Sequence, residues 1–222
     1  MELLSVNVGR LKAVEHTSAA SGLSGVDKQP VAGPVRVFAP GPQGAGASGV
    51  EGDEIGDPRF HGGDDRAVTA YAREDLDHWE RELGRPLADG AFGENLTTTG
   101  LDVNGALIGE RWRIGSEVVL EVTGGRVPCS TFQGHLGEKG WVRRFTRAGQ
   151  PGALLRVIEP GTLRPGDPVR VVQRPDHDIT VALLFRAATL ERELLPRTLA
   201  AAPWMEASLL EAAQRYAEKH GG

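Results

Sequence analysis

The sequence predicts a mostly-β fold: a small β-barrel with peripheral helices and a short helical appendage at its C-terminal end. Three features lead there. Thirty glycines and fourteen prolines in 222 residues supply more turns than a helical bundle would use. Short runs rich in β-branched residues lie between those turns, and glycines at 105, 109 and 115 have the close spacing of a small antiparallel barrel. Beyond Arg174-Pro175-Asp176-His177 glycine disappears until Gly221-Gly222, and the pattern turns helical.

Taken in order, Leu3–Val8 reads as a strand ended by Gly9-Arg10. Lys28–Phe38 reads as a second strand punctuated by turns, and residues 39–49, mostly Gly, Pro, Ala and Ser, as a loop. Ala67–Tyr71 is a short strand. Arg73–Leu83 carries Leu76, Trp79 and Leu83 on one stripe and stops at Gly84, the signature of an amphipathic helix. Gly90–Leu96 opens another strand, and short strands follow at Ala106–Ile108 and Arg111–Ile114. Val118–Thr123 alternates as a strand does, with helix-like stretches at Ser130–Leu136 and Trp141–Arg147 after it. Ala153–Ile158 and Pro168–Val172 close the barrel. Helices are expected near Thr180–Arg192, Glu193–Ala201 and Met205–Lys219. The expected division is a barrel domain over 1–173 and a three-helix appendage over 178–222. The apolar residues of that tail, Leu183, Leu184, Leu194 and Leu195 among them, need burial against the barrel, one another or a second subunit, which leaves a homodimer open.

Composition excludes more than it names. One cysteine argues against a disulfide scaffold and fits a reducing cytoplasm. Met1–Asn7 has neither a basic nor an apolar leader region, and no run is long enough to span a membrane. A net charge of −5 disfavours nucleic acid as a partner. No zinc spacing, EF-hand, P-loop or dinucleotide fingerprint is present.

The chemistry is placed at Arg126-Val127-Pro128-Cys129. A lone cysteine is by default a small buried hydrophobe. This one stands at a strand-to-helix corner three residues after Arg126, and both features stabilise a thiolate. Pro128 stiffens the approach. His61-Gly62-Gly63 sets a histidine beside two glycines that admit close backbone approach, and Glu94-Asn95 offers polar groups for a turn or a ligand. A cysteine hydrolase with His61 as base is a further possibility, but no nucleophile signature accompanies the cysteine.

The motifs are individually weak and stand in one order: Lys28-Gln29-Pro30-Val31, Gly33-Pro34-Val35, Gly52-Asp53, Asp57, His61-Gly62-Gly63, Gly93-Glu94-Asn95-Leu96, Ile108-Gly109-Glu110, Arg126-Val127-Pro128-Cys129, Gly152 and Gly166-Asp167. In this order the chain resembles, over nearly its whole length, the MOSC family of molybdenum cofactor sulfurase C-terminal domains, in its stand-alone bacterial YiiM-type branch. The resemblance implies a barrel whose cysteine, here Cys129, ligates molybdenum in the pterin-dithiolene molybdenum cofactor (molybdopterin). It also implies reduction of N-hydroxylated compounds. Carried over, Arg126 and His61 belong to the catalytic pocket; His61, Gly62, Gly63, Glu94, Asn95 and Arg126 hold the cofactor, and Arg66 meets its phosphate. Electrons would come from a separate redox protein. The family also suggests a sulfur carrier with a persulfide on Cys129, linked to pyridoxal phosphate-dependent sulfur transfer. Two departures stand out: Gly125 where many members have proline, expected to loosen the loop, and Ser130 where some relatives have an aromatic residue.

Overall fold

Residues 1–17 and 19–220 are described by the computed structural model. The last two residues of the expected 178–222 appendage lie outside them. The strands are β1 (Glu2–Gly9), β2 (Lys12–Ala13), β3 (Leu23–Ser24), β4 (Lys28–Pro30), β5 (Val35–Val37) and β6 (Val68–Ala72). They continue as β7 (Leu96–Thr99), β8 (Arg111–Ile114), β9 (Val118–Gly125), β10 (Ala153–Glu159), β11 (Gly161–Leu163) and β12 (Val169–Gln173). The α-helices are α1 (Arg73–Leu83), α2 (Ser130–Leu136), α3 (Trp141–Ala148), α4 (Val181–Thr189), α5 (Leu195–Thr198) and α6 (Ala207–His220).

Side-chain period decides where each strand sits. In β8, Trp112 and Ile114 are buried while Arg111 and Arg113 reach outward. All eight residues of β9 are buried, as expected of a strand covered on both faces. The main sheet has eight strands in the order β12-β8-β9-β10-β6-β7-β1-β4, antiparallel except for β6 against β7. Two small sheets, β11-β5 and β2-β3, flank it.

This is a large mixed sheet and not the closed barrel expected. Its end strands, β12 and β4, do not pair. The free edge of β1 is split: Asn7–Gly9 pair with β4, whereas Glu2 makes only an isolated bridge to Pro168. Leu3 N donates to Asp167 O at 2.9 Å and Gly166 N to Leu3 O at 2.8 Å, so the sheet curls towards closure there. Pro168 has no N–H, and a ladder cannot run through it. Other strands also differ from expectation. Lys28–Phe38 holds two strands in different sheets, and Ala106–Ile108 gives only the Leu107–Thr180 bridge. Residues 90–95 form turns before β7, because Gly90 and Gly93 take φ of 86° and 72°, outside the extended region.

Local signals were followed closely by the helices. α1 buries Leu76 and Trp79 and ends at Gly84 with φ 66°, its N–H on Glu80 O. Under α1, α2 and α3 lies an aromatic core of Tyr71, Trp79, Phe92, Phe132, Trp141 and Phe145. The tail shares the other, larger core with the sheet: Ile179, Val181, Leu184 and Leu195 cluster with Ile108, Trp112 and Val122. Glu193–Ala201, expected as one helix, is two 3-10 turns around α5, because Pro196 can start a helix and cannot continue one. No described helix is long and apolar enough to cross a membrane.

Candidate functional site

β9 delivers the site loop. Gly124 and Gly125 end the strand, paired with Leu154 and Ala153 of β10. A Cβ on Gly125 would stand 2.8 Å from Pro151 Cγ and 3.2 Å from Val181 Cγ1. Glycine there is a packing requirement inside a strand, so the expected loosening of the loop is not found. Arg126 leaves the strand, Pro128 is buried, and half-buried Cys129 occupies the N-cap of α2 in extended conformation without a side-chain capping bond.

The loop opens on a cavity of about 390 Å³. Cys129, Arg126, His61, Gly62, Arg66 and Asn95 all line it, from three separate stretches of chain. Gly63 and Glu94 do not. Gly63 (φ 81°) has its N–H on Ala47 O at 3.1 Å, and a Cβ there would strike the Gln43 backbone at 2.6 Å. A Cβ on Gly62 would meet Ala47 O at 2.5 Å. The glycine pair therefore seats one loop on another. Glu94 is buried; its carboxylate accepts from Gly90 N (2.6 Å), Phe92 N (3.0 Å) and Thr97 Oγ1 (3.0 Å) and holds the turn before β7. Burial pushes its pKa up.

Asn95 borders the cavity with its amide already committed. Its Oδ1 accepts from Thr69 N (3.1 Å) and Oγ1 (3.0 Å), and its Nδ2 donates to Asp53 Oδ2 (2.9 Å) and Asn7 O (3.3 Å). Asp53 was not nominated as a site residue from sequence, where Gly52-Asp53 stands only in the motif order. It pairs with Lys28 Nζ and accepts from Gly9 N (2.7 Å) and Ser48 Oγ (2.6 Å). Both Lys28 and Asp53 line the cavity. Burial lowers the Lys28 pKa against the pull of Asp53, and Arg126 lowers it further. Twenty-five residues of sequence separate the pair, and no spacing rule joins them.

Arg66 is also paired, although its buried Nε has no hydrogen-bond partner among the described residues. Its Nη2 lies 3.0 Å from Glu206 Oε1 and 3.0 Å from Ser208 Oγ, and its Nη1 donates to Phe60 O at 2.6 Å. The expected contact with a cofactor phosphate would have to compete with a carboxylate that is 1% exposed. Glu206, Ser208 and Leu209 line the cavity, so the tail forms part of its wall. Arg66→Ala is expected to destabilise the fold by about 3 kcal/mol, because it leaves a buried charge unpaired. Arg66→Ala with Glu206→Gln should recover most of that loss. Urea unfolding of the two variants and wild type is the check; an unchanged midpoint for Arg66→Ala would show the pair contributes nothing.

His61 is held below its ordinary pKa, to about 4, by loss of solvent in the cavity and then by the positive charges of Arg126 and Arg66, with Asp57 opposing. His61 is exposed where it lines the cavity, so the cations are the part of this shift that solvent access leaves standing. His61 is then neutral at pH 7. An unfolded histidine binds its proton near pH 6.5. Between that value and about 4 the unfolded chain holds the extra proton, so this contribution to stability is complete above 6.5 and falls as pH drops towards 4. An NMR titration of the His61 ring should have its midpoint below 6.5, and a midpoint at or above 6.5 would refute the assignment.

Arg126 differs from the other cavity cations. Among the described residues no carboxylate lies within ion-pair distance of it; its guanidinium carbon sits 4.3 Å from the centre of the Phe132 ring. Nor, among the described residues, does any group of three or more His, Cys, Asp or Glu stand where it could hold a metal ion.

Residues 57–170 match the family model for the MOSC domain. The chain is 33% identical over 184 residues to YflK of Bacillus subtilis, covering 83% of this chain and 79% of that protein. It is 34% identical over 179 residues to a Gibberella moniliformis protein named Reductase, covering 78% of this chain but 29% of that longer protein. The crystal structure of YiiM from Geobacillus stearothermophilus superposes with a TM-score of 0.77 at 29% identity, covering 97% of this chain and 98% of that one. The chain therefore belongs to the MOSC domain family, in its YiiM-type branch.

Proposed function

We propose that this protein binds a molybdenum cofactor and with it reduces N-hydroxylated bases or related N-oxygenated compounds. The observation that carries this reading is the meeting, in one cavity, of the only thiol in the chain and the one cavity cation that has no carboxylate partner among the described residues. The family is associated with molybdenum cofactor binding, and one relative is named a reductase, which supports the reading.

The residues present fit the group. A cavity of about 390 Å³ is within the ordinary range for a small-molecule site. A soft thiolate from Cys129 suits a metal whose other ligands are sulfur. Arg126 offers an unneutralised charge and a planar fork to an anionic end. When bound, the cofactor supplies the two-electron reduction. The chain's part is to hold and orient. Neutral His61 can donate or accept a hydrogen bond at an N–OH group, and the Lys28–Asp53–Asn95 network fixes the floor of the pocket.

Re-reduction needs a separate redox protein, since no dinucleotide fingerprint is present and one cysteine cannot hold a cluster of the usual four-thiolate kind. The reading puts the protein in the reducing cytoplasm. Elemental analysis of protein made in a cofactor-competent host tests it. Stoichiometric molybdenum is expected, with turnover of an N-hydroxylated base on a chemical reductant and none on NADPH alone. Cyanide-labile sulfur without metal would instead favour a persulfide carrier.

A further inference from the structure

Three cations line the cavity, and they are held in two different ways. Lys28 carries Asp53 and Arg66 carries Glu206, so each enters the pocket already neutralised. Arg126 is held by an aromatic face. Its guanidinium carbon lies 4.3 Å from the Phe132 ring centre, well inside the range for a cation over a ring. On another side a Cβ built at Gly93 would come within 3.4 Å of Arg126 Nη1, so residue 93 leaves the guanidinium room that any side chain would narrow. Burial lowers the Arg126 pKa, and Cys129 and then Glu94 oppose that without reversing it.

Phe132 cannot move away. It is fully buried, with ring centroids of Phe92, Phe145 and Trp141 at 5.2, 5.3 and 5.6 Å in edge-to-face arrangement. A ring quadrupole stabilises a cation without cancelling its charge, whereas a carboxylate cancels it. The aromatic core under α1–α3 therefore does something the larger aliphatic core does not. It fixes a partly desolvated guanidinium beside Cys129 and leaves its full charge for a ligand.

We propose that Phe132 is the positioning residue of Arg126, and that Arg126, so held, is the cation that captures the anionic group of whatever ligand enters the Cys129 cavity. The inference rests on the anion-binding half of the proposed function and is independent of the metal. Loss of molybdenum from that reading would leave it standing.

Cys129, as the only cysteine, allows a test in the protein without ligand. The rates of its alkylation by iodoacetate, an anion, and by iodoacetamide, its neutral counterpart, are measured at low salt. Their ratio cancels any change in the thiol itself and reports the charge beside it. Wild type should favour the anion relative to a free thiol of a small peptide, and Arg126→Gln should remove that preference. Phe132→Leu, which keeps an apolar side chain and loses the ring, should lower the ratio by about threefold to tenfold. If Phe132→Leu fails to fold, pentafluorophenylalanine at position 132, the same shape with the quadrupole reversed, replaces it with the same expectation. Phe145→Leu removes a ring from the same core but not from Arg126; it should lower the melting temperature and keep the ratio. An unchanged ratio in folded Phe132 variants, an equal fall in Phe145→Leu, or no anion preference in wild type would each overturn the proposal.

Discussion

Cys129→Ser protein, made where molybdenum cofactor is available, is expected to purify folded and free of stoichiometric molybdenum. Two arguments meet here. The ligand argument is that a hydroxyl replaces the only thiol in the chain, so a sulfur-held metal loses its thiolate attachment to the protein. The fold argument comes from the local geometry. Cys129 is half-buried and caps α2 in an extended conformation while its side chain makes no capping bond. Serine is among the best N-cap residues, worth about 1 kcal/mol over a residue that cannot cap. The melting temperature should therefore stay level or rise slightly, which separates loss of ligand from loss of fold in one experiment. Wild-type molybdenum and turnover in purified Cys129→Ser would show the ligand assignment to be wrong.

What could be read in the sequence was what local chemistry decides. The stripe of Leu76, Trp79 and Leu83 before Gly84 gives α1 to the residue, and the Val118–Thr123 run followed by Ser130–Leu136 gives the corner that presents Cys129. Sheet closure was not legible, because it depends on which backbone groups meet across more than 160 residues of chain, where Glu2 faces Pro168. The same limit applies to charge. Arg66 looked free because its partner, Glu206, is contributed by the tail, and Asp53 was passed over as a site residue because Lys28 and Asn95 reach it only after folding. Phe132 read as an apolar helix position; its place beneath Arg126 needs the fold. Six of the nominated residues, Cys129, Arg126, His61, Gly62, Arg66 and Asn95, line one cavity, and all but Arg66 came from motif order. Which of them is free to bind came from the ion pairs.

A chain ending at residue 178 is expected to lose its cooperative fold and to aggregate, a larger effect than the separable tail the sequence suggests. Removal of the tail strips the core from within. Ile179, Val181, Leu184, Ala187, Leu195, Ala201 and Met205 are all buried in the cluster that contains Trp112, Leu120 and Val122 of the central strands. A large aliphatic side chain contributes about 1.5–3 kcal/mol when buried. Four or five such losses match the roughly 5–15 kcal/mol that holds a domain folded. Backbone groups are stranded too, since Ile108 N donates to Ile179 O and Val181 N to Ala106 O, each at 2.9 Å, and Glu206 N to Thr123 O at 3.0 Å. Removing only residues 207–220 is the milder cut. Of that helix only Ala213 is buried, although Ser208 and Leu209 border the cavity and Ala207 N meets Asp65 Oδ2 at 3.2 Å. That shorter deletion should stay soluble with a lowered melting temperature and a cavity open on its Glu206 side. Light scattering, circular dichroism and thermal melting of the two truncations decide the matter. A monomeric chain of 178 residues that melts as sharply as the full chain would show that the tail is a separate unit after all.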